Sequence, residues 1–463
     1  MQDLTTGSIT GHLVKTTGFM LVMMVFQTLY FLVDLYWVGR LGTAAVAGVG
    51  IAGNLSFVTL ALGQMLGVGT TTVVSHAVGR REPAEAGRLF NQALGLATAA
   101  GALFLVAGLA LLGPYTRAMG ADAATARVAA DYLRWFVPAM ALQFPLGAMG
   151  AALRATGQFK APVVVSTVSV VVNMALAPVL IFGWGTGRAF GVAGAAMSSL
   201  VAIVVALAWL SRHFVAEGSY LRFAATALRP ELGAWRRMLA VGLPAGFEFS
   251  MMALYQFVVY TVARPFGASA QAGFGIGLRV VQAGFMPVVA LGMAVAPVAG
   301  QNVGARLPAR VRATCRAAAR LATAGMAVLT LLAHLAPAAM VGVFTADPAV
   351  VGVGAEYLRL ISWNFVASGL IFVASSMFQA MGNTIPSLVA SAARMTLVIV
   401  PTLALARLPG FRLEWVWYLS VLTVWLQLGL TLWLLRREFA RRLGGEVGST
   451  PALPAAPPLE AAG

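Results

Sequence analysis

The segment Gln27-Thr28-Leu29-Tyr30-Phe31-Leu32-Val33-Asp34-Leu35-Tyr36-Trp37-Val38-Gly39-Arg40-Leu41-Gly42 closes the first long apolar run of the chain and carries one carboxylate inside it. An Asp at the centre of a membrane helix costs about 2.5–3.5 kcal/mol on the insertion scale. A chain that keeps one there neutralises it with a proton or surrounds it with polar groups. At helical spacing Gln27, Tyr30 and Asp34 share one face, so the acid continues a polar stripe directed at neighbouring helices. The competing reading is an acid near the end of its span that reaches the headgroups. The apolar run onward to Val38 favours the first.

The rest of the composition fits a chain solvated by lipid. Of 463 residues, 60% are hydrophobic and 10% charged, and the mean hydropathy is +0.85. So few charges cannot cover the surface of a water-soluble protein of this size. The net charge of +16 raises the possibility of nucleic acid. However, the basic residues cluster in short loops between apolar runs, which argues for a membrane and against that partner. The single cysteine, Cys315, excludes an internal disulfide and any Cys-based metal site. Residues Met1 to Thr10 offer no basic region ahead of a short apolar core, so no cleaved signal peptide is expected. The stretch from Gly444 to Gly463 is rich in Pro, Ala and Gly and reads as disordered.

About twenty apolar residues cross the hydrocarbon, and that ruler gives twelve spans. Six fall near 13–38, 46–76, 88–113, 128–152, 161–184 and 191–213. Six more fall near 238–264, 272–301, 313–336, 353–380, 386–406 and 413–436. A gapless shift of 225 residues superposes the two sets: Ala47-Gly48 falls on Ala272-Gly273, Val78-Gly79 on Val303-Gly304, Pro83 on Pro308, Asp122 on Asp347 and Tyr132-Leu133-Arg134 on Tyr357-Leu358-Arg359. Composition bias does not reproduce a triplet and a glycine–loop–proline spacing at one offset; this is a duplication. The expected architecture is an all-α integral membrane protein with twelve transmembrane helices in two six-helix lobes. Residues 1–213 form the N-lobe, 214–237 a basic cytoplasmic linker, 238–436 the C-lobe and 437–463 a disordered cytoplasmic tail. Each copy crosses an even number of times, so the copies run parallel, related by an axis along the membrane normal with a cleft between them.

Lys and Arg set the orientation. The side holding both termini carries twenty of them and the other side nine, which places both termini in the cytoplasm, in the inner membrane. Arg279 and Arg394 remain as the only intramembrane cations; either lines the cleft or balances an acid.

Of the acidic residues, only Asp34 and Glu248 sit well inside apolar runs. Neither has an acidic twin in the other repeat, so the halves share a scaffold and differ in their acids. Asp131 and Glu356 are repeat-equivalent near helix starts, where an ion pair or cap is expected. Glu248 follows Pro244 by one turn and shares a face with Met252, Tyr255 and roughly Gln256. It either meets a cationic substrate in the cleft, with Met252 and Tyr255 as adaptable apolar wall, or is held structurally by Arg279 or another buried donor. The fifth span places Ser166, Ser169, Asn173 and Ala177 on one face; the serines are expected to bond backbone or neighbouring helices. Asn173 lies mid-span, where it can complete a pocket with Asp34. Ser198 and Ser199 on the sixth span are further candidates. Gly63 and Gly67 form a GxxxG pattern that signals close helix packing.

Absent motifs narrow the function further. Neither lysine, Lys15 nor Lys160, follows a glycine, so there is no Walker A sequence. His12, His76, His213 and His334 lack metal-ligand spacing, and no serine occupies a GxSxG elbow. No cofactor and no catalytic residue are expected, and an intramembrane enzyme is disfavoured.

With twelve spans in two parallel repeats, several strings resemble the MATE (multidrug and toxic compound extrusion) transporters. These are Val33 to Gly42 ending the first span, Leu153-Arg154-Ala155-Thr156-Gly157 after the fourth, and Gly242-Leu243-Pro244-Ala245 opening the seventh. Gln301-Asn302-Val303-Gly304 follows the eighth, and Gln379-Ala380-Met381-Gly382-Asn383-Thr384 follows the tenth. The resemblance covers about residues 10–440. It implies secondary active export of drug-like, often cationic molecules, driven by inward H⁺ or Na⁺ flux through alternating access of two lobes. Asp34 matches the first-span acid of the DinF-like branch and Asn173 that branch's fifth-span asparagine. The sequence departs from relatives elsewhere. A second fifth-span acid would fall at Ala177 and the first-span proline linked to bending at Phe19. The C-lobe acid of the NorM branch would fall near Leu370 and its seventh-span glutamate near Met252.

These readings together predict a monomeric H⁺-coupled antiporter for small drug-like molecules. Its coupling site is built on Asp34, Asn173, Gln27 and Tyr30, and its cleft is lined by Glu248, Met252, Tyr255, Gln256 and Arg279. The alternatives are Na⁺ coupling on the same fold and a lipid-linked oligosaccharide flippase of the wider superfamily, for which two buried arginines are few.

Overall fold

The duplication read from the sequence reappears helix by helix in the computed structural model, which describes residues 2–185, 187–215, 220–224 and 229–443. The helices are α1 (Ile9–Gly39), α2 (Thr43–Gly79), α3 (Pro83–Ala110), α4 (Leu112–Met119), α5 (Ala123–Ala155), α6 (Lys160–Phe182), α7 (Val192–Val215), α8 (Leu232–Ala263), α9 (Ala268–Gly304), α10 (Pro308–Leu335), α11 (Pro337–Gly342), α12 (Pro348–Ile361), α13 (Phe365–Ala380), α14 (Ile385–Leu405) and α15 (Glu414–Leu443). Adding 225 to either end of α2 or α3 gives the ends of α9 or α10. The same shift carries α5 onto α12 and α13, which a short 3-10 turn joins. Among the described residues, twelve helices are long and apolar enough to cross a membrane.

Local chemistry explains why the ends repeat so well. Asp122 and Asp347 cap α5 and α12, accepting from the backbone N–H of Thr125 at 2.7 Å and of Ala349 at 2.9 Å; each satisfies a donor that the helix start leaves free. Pro83 and Pro308 occupy the first turns of α3 and α10, where a missing N–H costs nothing. Gly157 and Gly382 take positive φ after α5 and α13, and Arg81 and Arg306 do so after α2 and α9. Asp131 and Glu356, expected as caps or ion partners, form no ion pair among the described residues. Asp122 and Asp347 already hold the cap positions, and Glu356 hydrogen-bonds to Glu414.

Each lobe packs its own core. In the N-lobe Phe90 stacks on Phe214 with ring centroids 4.5 Å apart. In the C-lobe the buried Trp417 stacks on Phe274 at 5.3 Å and meets the edge of Tyr357 at 4.8 Å. The lobes touch where α2 and α9 end. A β-carbon on Gly79 would lie 2.0 Å from the Gln301 carbonyl oxygen, and one on Gly304 would lie 2.2 Å from that of His76. His76 and Gln301 are themselves 225 residues apart. Each reaches across: His76 Nε2 donates to the Ala380 carbonyl at 2.7 Å, and Gln301 Nε2 donates to that of Ala155 at 2.7 Å. Toward the opposite ends the glycines face their own lobes instead, Gly48 against Val128, and Gly273 and Gly277 against Val353 and Tyr357.

Gly63 and Gly67 have open space where a β-carbon would stand, so the GxxxG pattern packs nothing. The close approaches of that region are at Gly69, where a β-carbon would lie 2.5 Å from the Met238 carbonyl oxygen, and at Gly242, where one would lie 2.1 Å from that of Met65.

The N-terminal segment crosses the closed end. Gln2 donates its backbone N–H to Thr156 in the N-lobe at 3.1 Å. Leu4, fully buried, donates its N–H to Gln301 Oε1 at 3.0 Å and accepts from Asn302 Nδ2 at 3.3 Å. Asp3 pairs with Arg81 at 3.6 Å. From there α1 changes lobes: Leu13 and Met20 are buried in the C-lobe core and Val38 in an N-lobe core. No residue of 21–33 is buried.

The basic linker expected over 214–237 begins as α7, which runs to Val215, and ends as α8, which starts at Leu232; 216–219 and 225–228 lie outside the described residues. Likewise α15 carries 437–443 of the expected tail to Leu443, and 444–463 lie outside the described residues.

Candidate functional site

Asp34 lies near the upper end of α1, yet it points inward and is 9% exposed. One turn earlier, the Tyr30 hydroxyl donates to Ser199 Oγ on α7 at 2.6 Å. Asn173, fully buried on α6, donates its Nδ2 to Ser198 Oγ at 3.1 Å and to Ser199 Oγ at 3.3 Å. Both serines donate onward to the Ala195 carbonyl, at 2.8 and 3.2 Å. Every donor of this set is thus committed, and two acceptors are left over. Asp34 Oδ1 and Asn173 Oδ1 are both buried without a hydrogen-bond partner among the described residues. Tyr132 on α5 is buried beside this set, within electrostatic reach of Asp34 and Tyr30.

The structure brings Tyr30 and Asn173 together through Ser199 but leaves Gln27 out. Gln27 is exposed and makes no hydrogen bond among the described residues, because at its height α1 has left the C-lobe core and not yet met the N-lobe core. Ser169 bonds the Ala202 carbonyl at 3.2 Å, the backbone role expected of it. Tyr132 was not singled out from the sequence; its only signal there was membership of the repeated Tyr-Leu-Arg triplet.

In the C-lobe, Glu248 is half-buried on α8, which continues through Pro244 without a break. Three hydroxyls converge on its carboxylate. Ser391 donates at 2.8 Å, Ser387 at 3.1 Å and Ser375 at 3.4 Å. Gln427 supports Ser391 with a hydrogen bond at 3.2 Å. Arg279 takes no part in this cluster: it is exposed and forms no ion pair among the described residues, so serines rather than a guanidinium hold the acid. Tyr255 donates to Ser420 Oγ at 3.3 Å. Met252 is half exposed, Gln256 is half-buried, and neither side chain contacts Glu248 through a hydrogen bond. The serines were not marked in advance, since each sits on a different turn or helix and carries no charge to draw attention. No group of three or more His, Cys, Asp or Glu side chains could hold a metal ion among the described residues.

Comparison with known proteins agrees with this architecture. A family model described as MatE matches residues 20–179 and again 244–404, the two matches starting 224 and ending 225 residues apart. The chain is 24% identical to the FAD transporter of Shewanella oneidensis over 81% of its own length and 83% of that protein's. It is 26% identical to the probable multidrug resistance protein YoeA of Bacillus subtilis over 79% and 80%. Among solved structures, an outward-facing conformation of a multidrug resistance MATE family transporter superposes with a TM-score of 0.86 at 23% identity, covering 95% of this chain and 98% of that one. A MATE transporter in the bent conformation gives 0.88 at 23% identity, covering 95% and 97%. The chain therefore belongs to the MatE family of multidrug-efflux transporters, multi-pass membrane proteins that move small molecules and are not enzymes.

Proposed function

We propose that this chain is a secondary active antiporter that exports drug-like, cationic or amphiphilic small molecules in exchange for H⁺, with Asp34 as its switch. The observation that carries the reading is the pair of buried, unpartnered acceptor oxygens, Asp34 Oδ1 and Asn173 Oδ1, gathered about the Tyr30–Ser199 hydrogen bond. Taking a carboxylate out of water favours its neutral form, and a proton on Asp34 adds the one donor that this acceptor-rich set lacks. A hard cation such as Na⁺ wants more oxygens than one carboxylate and one amide, so H⁺ is the better fit. The first-span acid and fifth-span asparagine also support the DinF-like branch.

The positive-inside pattern places both termini and the closed ends of α2 and α9, with Arg80, Arg306 and Arg310, in the cytoplasm of an inner-membrane monomer. The cleft then opens outward. Protonation of Asp34 from that side and release inside bias the two lobe arrangements. One charge moving through 100 mV supplies about 2.3 kcal/mol, enough for an export gradient of a few tens-fold for a neutral solute. Glu248 adds a negative charge to the C-lobe wall, where a cationic solute is accommodated. A second reading, a flavin nucleotide as cargo, has the Shewanella relative's name in its favour.

Everted vesicles test the proposal. Asp34→Asn is expected to abolish pH-gradient-driven uptake of a fluorescent cationic dye while the protein remains folded in the membrane. Wild-type uptake should persist when Na⁺ is replaced by an organic cation. Full activity of Asp34→Asn, or a strict Na⁺ requirement, contradicts the reading.

A further inference from the structure

Arg394 stands near the middle of α14, nine residues from Ile385 and eleven from Leu405. At 1.5 Å per residue that is about 14 and 16 Å from the helix ends, beyond what an arginine side chain spans to reach the headgroups. A cation at this depth is expected to be paired. Arg394 forms neither a hydrogen bond nor an ion pair among the described residues, and its Nε is buried without an acceptor. Its one close partner is a ring face: the guanidinium carbon lies 5.5 Å from the centroid of Tyr255. Tyr357, buried against Trp417, stands within its electrostatic reach.

The nearby acid does not serve as the partner. Glu248 and Arg394 face each other's helices, yet they are more than 4 Å apart. The three serine hydroxyls already occupy the Glu248 oxygens. Ser391, one turn from Arg394 on α14, turns toward Glu248 and fixes that pairing. Beside Arg394, Asn364 and Tyr255 both donate to Ser420 Oγ, at 3.4 and 3.3 Å, which adds no negative charge. The lobe thus keeps its acid satisfied and its base unsatisfied, against an aromatic wall.

We propose that Arg394 is an anion subsite of the C-lobe, taking the carboxylate or phosphate of an aromatic solute whose rings lie against Tyr255. The proposal rests on the transport reading for the nature of its ligand, but not on Asp34 or on the coupling ion. A guanidinium offers a planar fork of donors that matches such anions in two-pronged fashion. It differs from the cationic-solute reading in one respect: a substrate that bears both signs is favoured over the same substrate with its acid masked.

Two dyes that differ by one methyl ester test this. Rhodamine 110 carries a free carboxylate, and rhodamine 123 is its methyl ester. Their binding to the purified full chain is measured by fluorescence anisotropy in phosphatidylcholine nanodiscs. The wild type is expected to bind the acid more tightly than the ester. Arg394→Gln should weaken the acid by about tenfold or more, as expected for loss of a charge-assisted pair, and leave the ester nearly unchanged. Arg394→Lys should recover part of the preference. Ester binding reports that each variant is folded, and Asp34→Asn should keep the acid preference even where it abolishes coupled transport. Equal loss of both dyes, absence of any acid preference, or no binding of the acid overturns the proposal. So does displacement of the acid by phosphatidylglycerol in the wild type alone, which would assign the subsite to a lipid phosphate.

Discussion

Gly79 and Gln301 meet so closely that a β-carbon on the glycine would stand 2.0 Å from the Gln301 carbonyl oxygen, and the symmetry-related Gly304 meets His76 in the same way. Both sides of each contact are backbone or nearly so, and neither can rotate away. Gly79→Ala is therefore expected to hold the closed end apart. Cysteine accessibility at the ends of α2 and α9 should rise, and export should fall by at least tenfold. Unchanged export and accessibility in Gly79→Ala would mean that this closure is not needed for transport.

Tyr30 bridges the first span to α7 through one hydrogen bond of 2.6 Å. Tyr30→Phe removes the donor and leaves Ser199 still engaged by Asn173. The expected loss is about 0.5–1.5 kcal/mol of stability, with the pH dependence of export displaced because Asp34 has lost a neighbour. Asn173→Ala should cost more, since it also releases Ser198 and Ser199. Thermal unfolding and pH–activity curves of the two variants, in parallel, check the order; Tyr30→Phe being the more damaging would contradict it.

Glu248 accepts from three serines at once. Glu248→Gln keeps one acceptor oxygen and offers an amide that hydroxyls can accept from, so its effect on stability is expected to be small. Glu248→Ala leaves three hydroxyls without their acceptor and opens a gap, with an expected cost of about 1–3 kcal/mol. The two unfolding temperatures should differ in that sense, and equal values would show that the serine cluster is not anchored by the carboxyl group.

At the membrane surface, Asp3 is held below the ordinary carboxylate range. The largest cause is the Thr5 hydroxyl, which donates to it at 2.5 Å; partial burial opposes this, and the Thr5 N–H, Arg81 and Arg310 add to the lowering. A depressed carboxyl stabilises the fold above its unfolded value and loses that contribution as pH falls through the folded one. Because the side chain is 37% exposed, the contribution stays below about 1 kcal/mol. Asp3→Asn should therefore unfold earlier than wild type at pH 7. The gap should begin to narrow below about pH 4, where the unfolded carboxyl takes up its proton, and close as pH falls through the lower folded value. A gap of the same size at pH 3 contradicts the assignment.

Hydropathy and one offset were enough to read twelve spans and a duplication, because several repeat-related helix ends carry the same cap, proline or glycine in both halves. Asp34 stood out because an acid inside an apolar run has few reasons to be there. Asn173 stood out because it lies at the middle of its helix. The failures have a common cause. Gln27 shares the helical face of Asp34, but that face is covered at one height and bare at another, and only the packing of α1 decides which. Arg279 complements Glu248 in sign, yet the serines of α13 and α14 reach the acid first. Such arrangements depend on which helices are neighbours, and a linear pattern holds no record of that.

The first helix is anchored at its base in one lobe and at its tip in the other, with no fully buried residue over 21–33 between. In the proposed transport cycle a rod clamped at both ends to two swinging lobes must flex with them, and this span then serves as their leaf spring. Asp34 sits where that spring is riveted to its upper mount. On that proposal a proton taken up there sets the tension of the rod, although no proline marks a hinge along its length.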